Sequence, residues 1–513
     1  MDRCKEPLLS NGVKYYDDCP GCKVDLRKAT HKGYPIKELS LVALLVLCNS
    51  LPISSLFPFL YFMVRDFHIG KTEDIGYYAG YIGSSFMFGR FLTSALWGMA
   101  SDKYGRKPVM LIGVASVIIF NTLFGVSVNF WMAISTRFLL GSFNGMLGPV
   151  KAYSSEVCRE EHQALGLSIV GTMWGIGLII GPALGGFFAQ PADKYPNIFS
   201  KKSLFGRFPY LLPCLCISVI AVIVFVSTFW LPETLHKHPL EGEEKGHYDP
   251  EIGSKGESHQ ANNKEETTKK NQVQKKSLLK SWPVMSSIIV YCVFSLHDIA
   301  YSEIFSLWAV SPKEYGGLSF TTSDVGVVLA ITGVGLLIFQ LFIFPPLANL
   351  VGAILVTRIS ALLTIPVLTI YPFLAMLSGI FLWLALNSAS LIKNILGTSV
   401  VTGTFLMLNN AVSQDQRGAA NGLAMTGMSL FKTLGPAGGG SLFAWAQKRQ
   451  NASFLPGDHM VFFMLNFILV IVVMMTFEPF LPRSTNRPQR EDQNESNPEQ
   501  QEQRKEQEPQ FSS

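Results

Sequence analysis

Eight consecutive residues, Leu296-His297-Asp298-Ile299-Ala300-Tyr301-Ser302-Glu303, place two carboxylates, an imidazole and a phenol within about two turns of helix. On such a helix His297 and Tyr301 share a face, and Asp298 lies beside Tyr301 and Ser302 at i+3 and i+4. The surrounding stretch, 284–309, is apolar. Ionisable groups inside an apolar helix are costly and face a cavity or a partner, so this set suits the uptake and release of a proton. Asp298 and Glu303 are the candidate proton carriers, with His297 as modulator. The competing role for each carboxylate is a structural ion pair with a basic residue elsewhere.

Basic counterparts occur at Arg90, Arg137, Lys393 and Lys432, each within its own apolar stretch. Several cations around one cavity suit a carboxylate-bearing solute, which Arg can hold with two parallel hydrogen bonds. Arg137, Lys393, Lys432 and Tyr301 are therefore the candidate substrate-binding residues. Arg137 and Lys393 are expected to face one another across the cavity. Arg90 is assigned to gating or structure.

These residues need a scaffold of membrane spans. The chain is 48% hydrophobic and only 15% charged, against about 25% charged in ordinary soluble proteins. Its apolar residues fall in blocks of roughly 20, the length that crosses a hydrocarbon core. Twelve spans are predicted, near 39–64, 75–99, 109–128, 130–150, 165–188, 209–231, 284–309, 324–345, 353–374, 386–411, 420–446 and 459–481. The apolar stretch around the tenth, from Ser378 to Val412, requires either a turn or a long tilted helix. Pro52 and Pro58 are expected to bend the first span.

The predicted fold class is an all-α membrane protein of twelve transmembrane helices in two pseudo-symmetric six-helix bundles, 39–231 and 284–481. Residues 1–38 form a tail, 232–283 a polar flexible loop, and 482–513 a Gln/Glu/Asn/Pro-rich tail that cannot bury a core. Lys and Arg concentrate in the N-terminal tail, after the second span (Lys103, Arg106, Lys107) and after the fourth (Lys151, Arg159). That distribution places both termini in the cytosol.

Between the second and third spans lies Gly98-Met-Ala-Ser-Asp102-Lys-Tyr-Gly105-Arg106-Lys107. Gly98 would let helix ends approach, Gly105 would permit a turn with positive φ, and Asp102 can pair with Arg106. The result is a charged clip able to hold one conformation and release it in another. The fifth span carries Ser168-x8-Gly177-x3-Gly181-Pro182-x2-Gly185-Gly186, a face of small residues with a helix-bending proline.

An internal repeat runs through these features. Gly181-Pro182-Ala183 is echoed by Gly435-Pro436-Ala437, and Arg137-x3-Gly141 by Lys393-x3-Gly397. Asn349 and Gly352 stand where Asp102 and Gly105 stand, so the second clip is decayed. Each pair is separated by roughly 250 residues, in one register.

The loop resembles the G-x-x-x-D-x-x-G-R-K pattern of the major facilitator superfamily, and the fifth-span pattern resembles that superfamily's antiporter motif. A narrower resemblance, to the plant zinc-induced facilitator-like family, rests on Cys19-Pro20-Gly21-Cys22, on Pro232-Glu233-Thr234-Leu235-His236-Lys237-His238, and on Trp174-Gly175-Ile-Gly177-Leu-Ile-Ile-Gly181-Pro182. This resemblance implies a proton-coupled antiporter exporting a small solute from the cytosol. The solute it implies first is a metal chelator of the nicotianamine or phytosiderophore type, or its zinc complex, within zinc and iron homeostasis. Potassium is the alternative. The vacuolar membrane is the expected residence, with the plasma membrane as the other option.

Cys19, Cys22, His236 and His238 could supply a tetrahedral Zn²⁺ site of regulatory type, although long flexible connections would make closure costly. No other cofactor is expected. The expected partners are the lipid bilayer, protons and a small molecule or ion, with a monomeric transport unit and no nucleic acid. A solute receptor with a transporter fold is the rival of another class. No nucleophile–base spacing or phosphate loop points to an enzyme.

Overall fold

A computed structural model describes residues 8–10, 13–16, 19–30, 33–159, 162–236, 280–412 and 417–482. After a short antiparallel hairpin, Leu8–Ser10 with Val13–Tyr15, and a tail helix, Pro20–Thr30, the described chain is helical throughout its spans. Among the described residues, eight helices are long and apolar enough to cross a membrane. Ile223, Leu362, Leu384 and Phe467 are all more than half exposed on them, as expected of a lipid-facing surface.

The remaining crossings fall outside that set because polar residues interrupt their apolar stretch or because the helix is broken into shorter pieces. The second span is Ile75–Tyr104, which contains Arg90. The eighth runs from Thr322–Ile338 through a π-turn at Phe339–Ile343 into Phe344–Val351. The eleventh is Arg417–Gln447. The fourth is broken: Phe130–Phe143 ends at Asn144, and a second segment, Leu147–Val157, continues beyond it.

That break corrects one expectation. The sequence places Lys151 in the flank of the fourth span, whereas it lies within the helix that continues past the break. The first span, Ile36–Ser54, stops two residues after Pro52 and resumes at Leu60–Asp66, so the residues around Pro58 form the bend. The long apolar stretch near the tenth span is one helix of 32 residues, Gly379–Asn410, with no internal turn.

Among the described residues, the closest backbone contacts between the halves lie towards one end of the bundle. Near the face opposite the termini, Gly76 and Gly80 of the second span pack backbone-to-backbone against Gly440 and Pro436 of the eleventh, and Gly186 of the fifth against Gly326 of the eighth. Without side chains these helices approach more closely than any Cβ would permit. Lys448 pairs with Asp74 across the same end at 2.5 Å. Towards the face bearing the termini, Gly98, Gly171, Gly175 and Gly422 have open space beside them. The molecule is closed at the opposite face and open at the terminal face.

Gly98 therefore departs from its expected role: no helix end lies against it in this conformation. The other fifth-span glycines are tightly used. Gly177 and Gly181 lie against Ser50 and Ser54 of the first span, and Gly185 against the backbone of Ser55. Ser54 Oγ donates to the Gly177 carbonyl at 2.8 Å. The helix Gln163–Phe188 passes through Pro182 without a break, and Ser168 is exposed near its start.

Candidate functional site: a cavity between the halves

Span seven, Trp282–Val310, holds the carboxylate cluster, and its two acids have different surroundings. Asp298 accepts a hydrogen bond from Lys393 Nζ at 2.9 Å. The Lys393 side chain is fully buried and lies 3.5 Å from the centroid of the Tyr301 ring. Gly397, one turn beyond Lys393, lies beside the pair: a Cβ there would stand in ordinary contact, 3.5 Å from the Asp298 carboxylate. Asp298 thus takes the competing role named for it, an ion pair, while its side chain remains 37% exposed.

Glu303 has no such partner among the described residues. It is 1% exposed, and neither carboxylate oxygen makes a hydrogen bond. His297 is likewise fully buried, with both ring nitrogens unbonded, and its ring lies against Phe294. Tyr301 departs from its expected role as a substrate ligand. It is buried, and its hydroxyl shares a 2.7 Å hydrogen bond with the Tyr371 hydroxyl.

Arg137 and Lys393 do not face one another. Each turns into its own half, because each finds a partner there on the repeat-related first or seventh span. Arg137 Nη1 donates to the Pro52 carbonyl at 2.9 Å, in the last turn of a helix that ends at Ser54. Its guanidinium also lies over the rings of Phe86 and Phe124. Arg137 and Glu303 instead line one small cavity between the halves, together with Ile53, Phe86, Met87 and Pro436.

A second group of charges stands nearer the open face. Arg90 is within Coulombic reach of Lys151 on its own half and of Lys432 on the other. Lys432 also feels Asp298. Arg90, Lys151 and Lys432 make no hydrogen bond or ion pair to a protein acid among the described residues. Lys151 was missed by sequence reasoning because it reads as a loop lysine. The signal available was Asn144-Gly145, which can interrupt the fourth span and draw the following helix into the bundle.

The clip is assembled at the terminal face. Gly105 takes φ +112°, which turns the chain sharply between Tyr104 and Arg106. Arg106 pairs with Asp102 and also reaches Glu156, Nη2 to Oε1 at 2.9 Å. Glu233 accepts from the backbone N–H groups of Arg106 and Lys107 at 2.9 and 3.0 Å, capping the third span. Lys107 Nζ donates to the Phe229 carbonyl. Glu156 and Glu233 are clip components that the motif alone does not include. At the equivalent bend in the second half, Gly352 keeps φ +85°.

Residues 42–386 match the family model for the Major Facilitator Superfamily. The chain is 58% identical over 482 residues to the protein ZINC INDUCED FACILITATOR 1 of Arabidopsis thaliana, covering 94% of this chain and 99% of that one. The chain belongs to the major facilitator superfamily, within its zinc-induced-facilitator group. It is also 58% identical to ZINC INDUCED FACILITATOR-LIKE 1 of the same plant, over 91% of this chain and 96% of that one. Among solved structures, a D-xylose-proton symporter superposes with a TM-score of 0.67 at 12% identity, over 89% of this chain and all of that one. The human organic anion transporter MFSD10 gives 0.57 at 17% identity, over 87% and 100%. At those identities the likeness is one of fold. This facilitator is a multi-pass membrane transporter of a small solute, not an enzyme.

In the facilitator, Cys19, Cys22 and His236 come together at the terminal face, as described below. His238 lies outside the described residues.

Proposed function

We propose that this facilitator is a proton-coupled antiporter that loads an anionic solute from the cytosol, the solute being a metal chelator of the nicotianamine type or its zinc complex. The observation that carries this reading is the separation of two jobs between two groups of buried charges. Nearer the open face, Arg90, Lys151 and Lys432 carry positive charge with no hydrogen bond or ion pair to a protein acid among the described residues. Deeper in, Glu303 is a buried carboxyl with no hydrogen-bond partner among the described residues.

An isolated charge so deeply buried is expensive, and binding a proton removes that cost. Once deprotonated, Glu303 attracts Arg137 across the boundary between the halves, and once protonated it does not. Proton occupancy therefore biases one arrangement of the halves over the other, which is the requirement for coupling. With the termini in the cytosol, the open face is the loading side. A carboxylate-rich solute would replace the missing counter-charge at the three cations. Export towards an acidic compartment, the vacuole or the cell exterior, would then be driven by protons returning through Glu303. The Asp298–Lys393 pairing removes one of the two acids on which a potassium site would depend.

The test uses purified protein in proteoliposomes with an imposed pH gradient and nicotianamine, its zinc complex or potassium supplied separately. Chelator flux that follows the gradient and disappears in Glu303→Gln is expected. Gradient-driven flux of potassium alone, or chelator flux unchanged by the substitution, would overturn the reading.

A further inference from the structure

The N-terminal tail and the strap that follows the sixth span are separated by more than 200 residues of sequence, yet they converge on one cluster of soft ligands. Cys19 Sγ and Cys22 Sγ each lie 3.8 Å from His236 Nδ1. The three ligand atoms lie within 4.8 Å of one another. A tetrahedral ion with bonds of about 2.3 Å to sulfur and about 2.0 Å to nitrogen separates such ligands by roughly 3.6 Å. Both thiols are almost wholly buried, at 3% and 4% exposure.

Three further features fit a metal and would be without purpose in a chance contact. His236 presents Nδ1 to the thiols and Nε2 to Asp25 Oδ2, 3.2 Å away. A carboxylate on the distal nitrogen is the usual means of orienting a metal-bound imidazole and strengthening it as a ligand. Gly21, inside the C-x-x-C, has no room for a side chain: a Cβ would stand 2.8 Å from the Thr234 carbonyl and 2.9 Å from the His236 ring. Its own N–H donates to the Leu235 carbonyl at 3.2 Å, holding the two segments in register.

The entropic objection to a site built from distant segments is met by the tail helix. Arg27 pairs with Glu38 of the first span at 2.6 Å, and Lys28 Nζ donates to the Glu156 carbonyl at 2.8 Å. These contacts dock the helix independently of any ion and deliver the cysteines to the strap, so metal binding closes only a short loop.

We infer that Cys19, Cys22 and His236, with Asp25 orienting the imidazole, form a regulatory site for a zinc-class cation at the terminal face. Two thiolates and an imidazole select a borderline or soft ion over Mg²⁺ or Ca²⁺. The same strap carries Glu233, which caps the third span at Arg106 and Lys107, and Thr234, whose hydroxyl donates to Glu156 Oε2 at 2.5 Å. An ion at His236 thus fastens the tail to the strap that holds the clip, and makes the clip responsive to the metal content of the fluid bathing that face. The site is spatially separate from the cation-lined cavity and does not depend on which solute is carried.

The experiment titrates full-length protein in detergent with Co²⁺ and records thiolate-to-metal charge transfer, then measures Zn²⁺ displacement of the signal and the zinc-induced rise in unfolding temperature. One equivalent of charge-transfer signal and a zinc-dependent stabilisation are expected, both lost in the Cys19→Ser/Cys22→Ser protein. Asp25→Asn, which keeps all three ligands, should weaken binding about 10- to 100-fold. Absence of the signal from the unsubstituted protein, or its survival in the double serine protein, would overturn the site. Metal binding with no change in unfolding temperature would overturn its link to the clip.

Discussion

Glu303 of the seventh span and Arg137 of the fourth line the same cavity from opposite halves, yet neither is hydrogen-bonded to the other. Such a pair can switch, because the carboxyl can change charge while the guanidinium stays positive. Glu303→Gln keeps the volume and removes the switch. Gradient-driven transport should fall at least tenfold, while exchange of labelled for unlabelled solute without a gradient persists. Equal loss of both activities would show that Glu303 supports the fold rather than the coupling.

Asp298 and Lys393 form the complementary case, a pair whose charges are already matched. Lys393→Met should lower stability by roughly 3 kcal/mol, the low end for a broken buried pair, since Asp298 keeps partial access to solvent. Adding Asp298→Asn should recover most of that loss. Thermal unfolding of the two single variants and the double variant reads out the coupling. Additive losses would mean that the pair contributes nothing as a unit.

The contrast between these two acids marks how far the sequence could be read. The repeat, the spans and the clip were legible because they rest on periodicity and on glycines at fixed spacing. That Asp298 would find a lysine and Glu303 would not was illegible. The helix register puts both acids in the bundle, but partners are chosen by packing between spans some 95 residues apart in sequence. Arg137 and Lys393 were misjudged for a related reason: their shared place in the repeat suggests a symmetric confrontation, yet each finds its hydrogen-bond partner inside its own half. Lys151 was hidden by a helix break that hydropathy averages away.

The cations near the open face should set affinity rather than coupling. Lys151→Met is expected to raise the KM for an anionic solute about tenfold, a loss of about 1.4 kcal/mol, with kcat nearly unchanged. Proton-driven counterflow at saturating solute should remain. A fall in kcat with unchanged KM would assign Lys151 to the conformational change instead.

Closure at the opposite face has its own charged latch. Lys194, just beyond the fifth span, donates to the Gly186 carbonyl and across the interface to Thr322 of the eighth span. Burial lowers the Lys194 pKa to about 8, opposed by the nearby charge of Asp324. In the opened state, with the amine in water, it would return towards about 10.4. Between these values the open form binds more protons, so closure becomes more favourable as pH rises; below about 8 the amine is charged in both forms and the latch is insensitive to pH. Labelling of a Met87→Cys protein by thiol reagent from that face should therefore be flat under acidic conditions and slow above pH about 8. Lys194→Met should remove the alkaline component and accelerate labelling at every pH. A steep acidic dependence that vanishes in Lys194→Met would contradict this assignment.

The clip separates stability from turnover, because its charges are unequally buried. The Asp102 side chain is 72% exposed and its described partner is Arg106, whereas Arg106 is 17% exposed and bridges Asp102 to Glu156. An exposed ion pair of the first kind is worth under about 1 kcal/mol. Asp102→Asn should therefore leave unfolding temperature almost unchanged. It should still slow turnover, because the open face must close around this turn and an exposed carboxylate there is available to meet the other half. Glu156→Gln removes a partner shared by Arg106 and the Thr234 hydroxyl, so it should lower unfolding temperature measurably as well as slow transport. Parallel measurement of solute binding, turnover and thermal unfolding distinguishes the two. Loss of binding in a normally folded Asp102→Asn protein would place Asp102 at the solute rather than in the closing movement.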